Sequence, residues 1–244
     1  MEEMIANPGD SVISAHSEEL IKADPRHRAW IEISPAAIEF NARSLIKRLA
    51  PGCSLMAVVK ADGYGHGANT VAEAAIKGGA KSLGVATLKE GMDLRRSGFD
   101  KPILILGNLT ESEDLLACFY WQLMPTLSNL REVILCDEIS DGKGREFMIQ
   151  VKVDTGMSRL GCNLEEAYKL IQIIQDSQHL SLQGVYSHLA LADEYLDNSE
   201  HQFSRIQKQR FDELITLLNR TKAKLCFHLA NSAGTLRDKA FHYN

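Results

Sequence analysis

Leu55-Met-Ala-Val-Val-Lys60-Ala-Asp-Gly-Tyr64-Gly-His66-Gly67 is the stretch from which the rest of the chain is best read. Five apolar residues, β-branched at the end, run straight into a lysine, and a loop with three alternate glycines follows. An apolar run this short, closed by glycines, reads as a buried parallel strand rather than a helix. Lys60 then falls at the carboxyl end of a strand, where α/β barrels keep their chemistry. Taken alone, such a lysine more often reaches into solvent. The loop shifts the balance, because Gly63, Gly65 and Gly67 let the backbone approach a ligand closely while Tyr64 and His66 offer polar groups.

Outward from this stretch, short apolar runs alternate with helical patterns. Residues 1–27 are polar, of mixed charge and broken by Asn7-Pro8-Gly9 and Pro25, so they read as a flexible extension. Trp30-Ile-Glu-Ile-Ser34 alternates like a short strand, and Ser34-Pro35 makes a helix start. The helix after it lines up Ile38, Ala42, Leu45, Ile46 and Leu49. Strands are expected to begin near residues 54, 82, 102, 121, 147, 183 and 225. Thr87…Glu90, Asn163…Glu166 and Ser199…Gln202 have the spacing of helix-capping boxes. Leu164, Ala167, Tyr168, Ile171 and Ile174 form one stripe. Repeated strand–helix units mean parallel strands covered by helices, as a (β/α)8 barrel or a doubly wound sheet. Even the shortest strand interval, added to 225, reaches Asn244. The expectation is a barrel over residues 28–244 that lacks its eighth strand and so leaves two edges unpaired.

Composition narrows the function. With 244 residues, 45% hydrophobic and 24% charged, the chain reads as an ordinary soluble globular protein with a substantial core. A net charge of −5 without basic runs argues against nucleic acid or anionic membrane as partners. Five scattered cysteines, none in a Cys-x-x-Cys pair, argue against disulfides and a zinc site and for the cytoplasm. No apolar run reaches membrane-spanning length.

Further polar residues fall at expected strand ends. In Gln150-Val-Lys152-Val-Asp154-Thr-Gly-Met-Ser-Arg159-Leu-Gly161, Arg159 has the fork geometry for a carboxylate or phenolate, with Lys152 and Asp154 able to orient it. The plainer reading is a surface salt-bridge cluster. His188, in Gly184-Val-Tyr-Ser-His188, is either structural or functional, and the first is commoner for a lone histidine. Phe227-His228-Leu-Ala-Asn231-Ser232 opens a helix that presents N–H groups to an anion, or is simply capped.

Val58-Val-Lys60-Ala-Asp-Gly-Tyr64-Gly-His-Gly67 resembles the cofactor-lysine motif of the alanine racemases, barrel enzymes that use pyridoxal 5'-phosphate. Asp154-Thr-Gly-Met-Ser-Arg159-Leu-Gly161 resembles a second motif of that family. The resemblance implies Lys60 as the Schiff-base lysine and one of two catalytic bases, and Tyr64, Asn231 and Ser232 at the phosphate. It implies His188 against the cofactor ring and Arg159 near the substrate carboxylate. Lys152 would be the lysine that many members carry carbamylated, and His228 would stand behind an arginine expected past Asn244. It further implies interconversion of L- and D-alanine, which supplies D-alanine for the cell wall, by a cytoplasmic homodimer. The family's carboxyl-terminal β-domain, with the opposite-face tyrosine and much of the dimer contact, would be missing, leaving the chain poorly active. The rival readings are a pyridoxal-phosphate-binding barrel without turnover, and a metal-dependent barrel hydrolase built on Lys152, His188 and His228. In the family reading no metal is needed.

Overall fold

A computed structural model describes residues 30–193, 200–218 and 225–244. The chain divides into two compact units, Met1–Ser34 and Pro35–Asn244. In the first, residues 30–34 form no strand, contrary to their alternation. Alternation sustains a strand only where a neighbour completes the ladder.

In the second unit, α1 (Pro35–Ile46) precedes β1 (Met56–Val58), α2 (Ala68–Lys77), β2 (Ser82–Val85), α3 (Leu88–Arg96) and β3 (Ile103–Asn108). There follow α4 (Ser112–Tyr120), β4 (Met124–Leu127), α5 (Leu130–Ser140), β5 (Phe147–Lys152) and α6 (Leu164–Asp176). β6 (Leu180–Tyr186), α7 (Glu200–Leu218), β7 (Cys226–His228) and α8 (Ser232–Arg237) complete the series. Strands begin within three residues of their expected starts. β4 starts late because Trp121 caps α4 and Gln122 turns the chain in the left-handed region, φ 52°. Thr87 with Glu90 and Asn163 with Glu166 form the expected capping boxes. The box expected at Ser199 lies outside the described residues.

All seven strands are parallel and lie in chain order, β1 to β7. A doubly wound sheet would reverse its order at a switch point, and this one does not. The sheet also curls. Asn244 donates its N–H to the Phe227 carbonyl (3.0 Å) and accepts the Phe227 N–H on Oδ1 (2.8 Å). The same residue's carbonyl accepts from the Ser54 N–H (3.2 Å), two residues before β1. One residue therefore touches both β7 and the entry to β1, at the place where an eighth barrel strand would begin.

Period-two alternation sorts each strand into two layers. Phe147, Ile149, Val151 and Val153 join Leu83, Ile103, Ile105 and Val185 in the core beneath the helices. Each such side chain contributes roughly 1.5–3 kcal/mol over its exposed state. On the other face Leu104, Met124 and Tyr186 make a smaller cluster with Met56 and Leu106. Thr126, Gln150 and Lys152 are buried too, in line with Tyr186 and His228. Barrel interiors are ordinarily filled with branched aliphatic residues. Here Thr126, Gln150 and Lys152 share that inner layer with the apolar cluster.

Candidate active site

Because the strands are parallel, every expected site residue meets at one edge of the sheet. Lys60 follows β1, Lys152 closes β5, His188 lies two residues past β6, His228 closes β7, and Asn231 and Ser232 open α8.

After Lys60 the chain does not open into a glycine loop. It winds through a left-handed turn, with φ of 52° at Ala61, 53° at Asp62, 62° at Gly63 and 55° at Tyr64. Three of these residues carry a Cβ that disfavours this region, a local cost that propensity rules do not foretell. Gly63 is required for a second reason: a Cβ there would lie 2.8 Å from Val71 Cγ2. The Asp62 carboxylate accepts the Ala68 N–H (2.8 Å), tying the turn to α2. His66 turns its Nδ1 back onto the turn, 3.2 and 3.1 Å from the carbonyls of Gly63 and Tyr64. Tyr64 is 62% exposed, and Lys60 Nζ stands 5.9 Å from its ring centroid.

The loop after β5 is closed upon itself. Asp154 N–H donates to the Cys162 carbonyl (2.8 Å) and Cys162 N–H to that of Lys152 (3.1 Å). The Asp154 carboxylate accepts from Gly156 (2.9 Å) and Ser158 (3.0 Å), so it shapes the loop backbone and leaves Arg159 exposed near the tip. Among the described residues, Lys152, Asp154 and Arg159 form no ion pair with one another. The surface salt-bridge reading is thereby set aside.

Lys152 is only 6% exposed, with Nζ 5.4 Å from the Tyr186 ring centroid. Burial first, then Arg159 and Lys60, push its pKa down to about 8, against an opposing pull from Asp154. His188 is lowered by burial, then by Lys152, Arg159 and Lys60. Lys60, Lys152, Arg159 and His188 thus share one electrostatic field. Cations gathered without paired carboxylates suit an anionic ligand.

Beneath them runs a polar layer in which His228 meets Gln150, Tyr186 and Thr126, three residues with no role assigned from the sequence. Gln150 Oε1 lies 2.7 Å from His228 Nε2, and the His228 ring stacks on Tyr186. Gly184, between Gln150 and Cys226 in register, makes room: a Cβ there would stand 2.7 Å from the Cys226 carbonyl oxygen. Tyr186 Oη lies 2.8 Å from Thr126 Oγ1. The signal was present as a glutamine inside the apolar run Phe147-Met-Ile-Gln150-Val. Gln207, fully buried on α7, is a second omission. Its Nε2 donates to the His188 carbonyl (3.0 Å) and to Thr155 Oγ1 (3.3 Å), and its Oε1 accepts the Ala190 N–H (2.9 Å).

Asn231 is a helix cap, its Oδ1 accepting the Gly234 N–H at 2.9 Å, while its Nδ2 makes a long contact (3.5 Å) to the Leu189 carbonyl. Ser232 is exposed, and no hydrogen bond joins it to the other site residues. Among the described residues no three His, Cys, Asp or Glu side chains gather to hold a metal, and no helix is long and apolar enough to cross a membrane.

Residues 33–244 match the family model described as alanine racemase, N-terminal domain. An alanine racemase of Prochlorococcus marinus is 53% identical over 225 residues, covering 92% of this chain and 58% of the relative. One from Nostoc is 41% identical over 220 residues, covering 89% and 56%. Among solved structures, an alanine racemase of Clostridium difficile 630 has a TM-score of 0.79 at 29% identity, covering 85% of this chain and 56% of that one. That of D-cycloserine-producing Streptomyces lavendulae also has a TM-score of 0.79, at 30% identity, covering 87% and 55%. The chain spans a little more than half the length of the proteins it matches.

Proposed function

We propose, because the chain belongs to the alanine racemase family, that Lys60 binds pyridoxal 5'-phosphate and that the activity served is interconversion of L- and D-alanine. On this reading the protein works in the cytoplasm and supplies D-alanine for the cell wall. The observation that carries the proposal is the meeting of Lys60, Lys152, Arg159 and His188 at and beyond the carboxyl ends of β1, β5 and β6, with no carboxylate salt-bridged to any of them among the described residues. An aldehyde bearing a phosphate fits that donor set: an amine for the carbonyl, and cations and hydroxyls for the charge.

When bound, the cofactor supplies an electron sink for negative charge at the substrate Cα. The chain's own residues do the rest. Lys60 Nζ, once neutral, would accept the Cα proton on one face, or deliver one there in the reverse direction, with a second group serving the opposite face. Arg159 holds the substrate carboxylate with its guanidinium fork. His188, kept neutral by its depressed pKa, presents an uncharged ring to the cofactor's face. The Tyr64 hydroxyl, the Asn231 amide and the Ser232 hydroxyl donate to the phosphate. Lys152, with its pKa near 8, has a neutral fraction able to take up carbon dioxide, and the carbamate so formed would pair with Arg159. His228 supports the site through Gln150 and Tyr186.

Purified protein mixed with pyridoxal phosphate should turn yellow, and the Lys60→Ala variant should stay colourless. Equal colour in both would contradict the assignment.

A further inference from the structure

Glu90 lies in the first turn of α3, and its carboxylate faces two ways. Oε2 accepts the Thr87 N–H (3.0 Å), completing the capping box, and the Ala86 N–H (2.7 Å). Oε1 accepts the N–H of Ala61 (2.8 Å), the residue that follows Lys60. One carboxylate therefore ties together backbone amides beyond two different strands, β1 and β2.

The segment it grips is the strained one. Ala61, Asp62 and Tyr64 all hold left-handed backbone, and such conformations persist only where the surroundings over-determine them. Gly65 N–H to the Ala61 carbonyl (3.1 Å) and Gly63 N–H to that of Val59 (2.9 Å) stitch the turn to itself, and Asp62 ties it to α2. Glu90 is the side chain that ties the start of this turn to the end of β2. A carboxylate suits the task, because it offers acceptors on both sides and sits where the α3 dipole favours negative charge. An amide in its place offers a single acceptor oxygen.

We infer that Glu90 is the positioning residue for Lys60: by fixing the Ala61 amide it sets the direction in which Lys60 leaves the sheet and the seat of Tyr64. This rests on the reading of Lys60 as the cofactor lysine, so the test has one arm independent of the cofactor. Wild type, Glu90→Gln and Thr87→Ala are compared. Thr87→Ala removes the cap hydroxyl, which bonds the Glu90 N–H at 3.3 Å, and leaves the Ala61 bond in place. Hydrogen exchange at the Ala61 amide is measured without cofactor. Borohydride-fixed label on Lys60 is then titrated against pyridoxal phosphate.

In Glu90→Gln, exchange at Ala61 should quicken and cofactor retention weaken, each about tenfold, the scale of one charge-assisted hydrogen bond. In Thr87→Ala both should stay within about twofold of wild type. Should Glu90→Gln fold poorly, Glu90→Asp keeps the charge and shortens the reach, and should likewise unprotect Ala61. Equal behaviour of the Glu90 and Thr87 variants at Ala61 would overturn the inference. A wild type that takes no label at Lys60 would instead sink the cofactor reading, with Ala61 exchange still deciding the role of Glu90.

Discussion

Tyr186 and His228, on neighbouring strands, lie face to face with ring centroids 4.6 Å apart and planes within 5° of parallel. Burial pushes the His228 pKa down to about 4, so the ring is neutral and its Nε2–H donates to Gln150. An unfolded histidine titrates near 6.5, so between that value and about 4 the unfolded chain binds the extra proton. Stability should therefore fall as pH drops through this window, by about 3 kcal/mol in all. Urea melts across pH 4–7 should show this component in wild type and lose it in His228→Phe.

Thr126 and Tyr186 allow a ranking. The Thr126 hydroxyl has one proton and donates it to the Ile105 carbonyl (2.6 Å), so Tyr186 must donate to Thr126. Tyr186→Phe removes that donor and leaves Thr126 bonded, costing about 1 kcal/mol. Thr126→Val strands the buried Tyr186 hydroxyl as well as the carbonyl, costing about 2–3 kcal/mol. Equilibrium unfolding of the two variants should give that order.

Lys152 is a buried amine whose folded pKa, about 8, lies below its unfolded value near 10.5. The unfolded chain binds more protons between these values, so stability should rise with pH across that interval in carbonate-free buffer. Lys152→Met should lack the rise and be more stable than wild type at pH 7, by about 3 kcal/mol at most. Adding bicarbonate should lift the wild type alone. Parallel pH profiles for the two proteins would refute this.

Gln207→Leu should cost about 2–4 kcal/mol, since it leaves the Ala190 N–H and the His188 carbonyl without their partners. It should also raise hydrogen exchange at Ala190, as read by mass spectrometry.

The sequence revealed most where local chemistry and tertiary placement coincide. The period of the apolar runs placed seven strands, and the capping boxes at Thr87 and Asn163 placed two helices, because those signals are local. Residues 30–34 misled because a ladder partner is not written in the strand itself. The left-handed turn at Ala61–Tyr64 was hidden because non-glycine residues adopt it under restraint from Glu90, far along the chain, and from Asp62, whose carboxylate reaches out of the turn to Ala68. Gln150 and Gln207 were passed over for a related reason. A single polar residue in an apolar run looks like noise until register shows what it reaches.

Whether Lys60 is the cofactor lysine is decided by peptide mapping after borohydride reduction of the pyridoxal-phosphate-treated protein. One dominant labelled peptide is expected, with the mass addition on Lys60 and none in Lys60→Ala. Label distributed over surface lysines, or concentrated on Lys152, would contradict it.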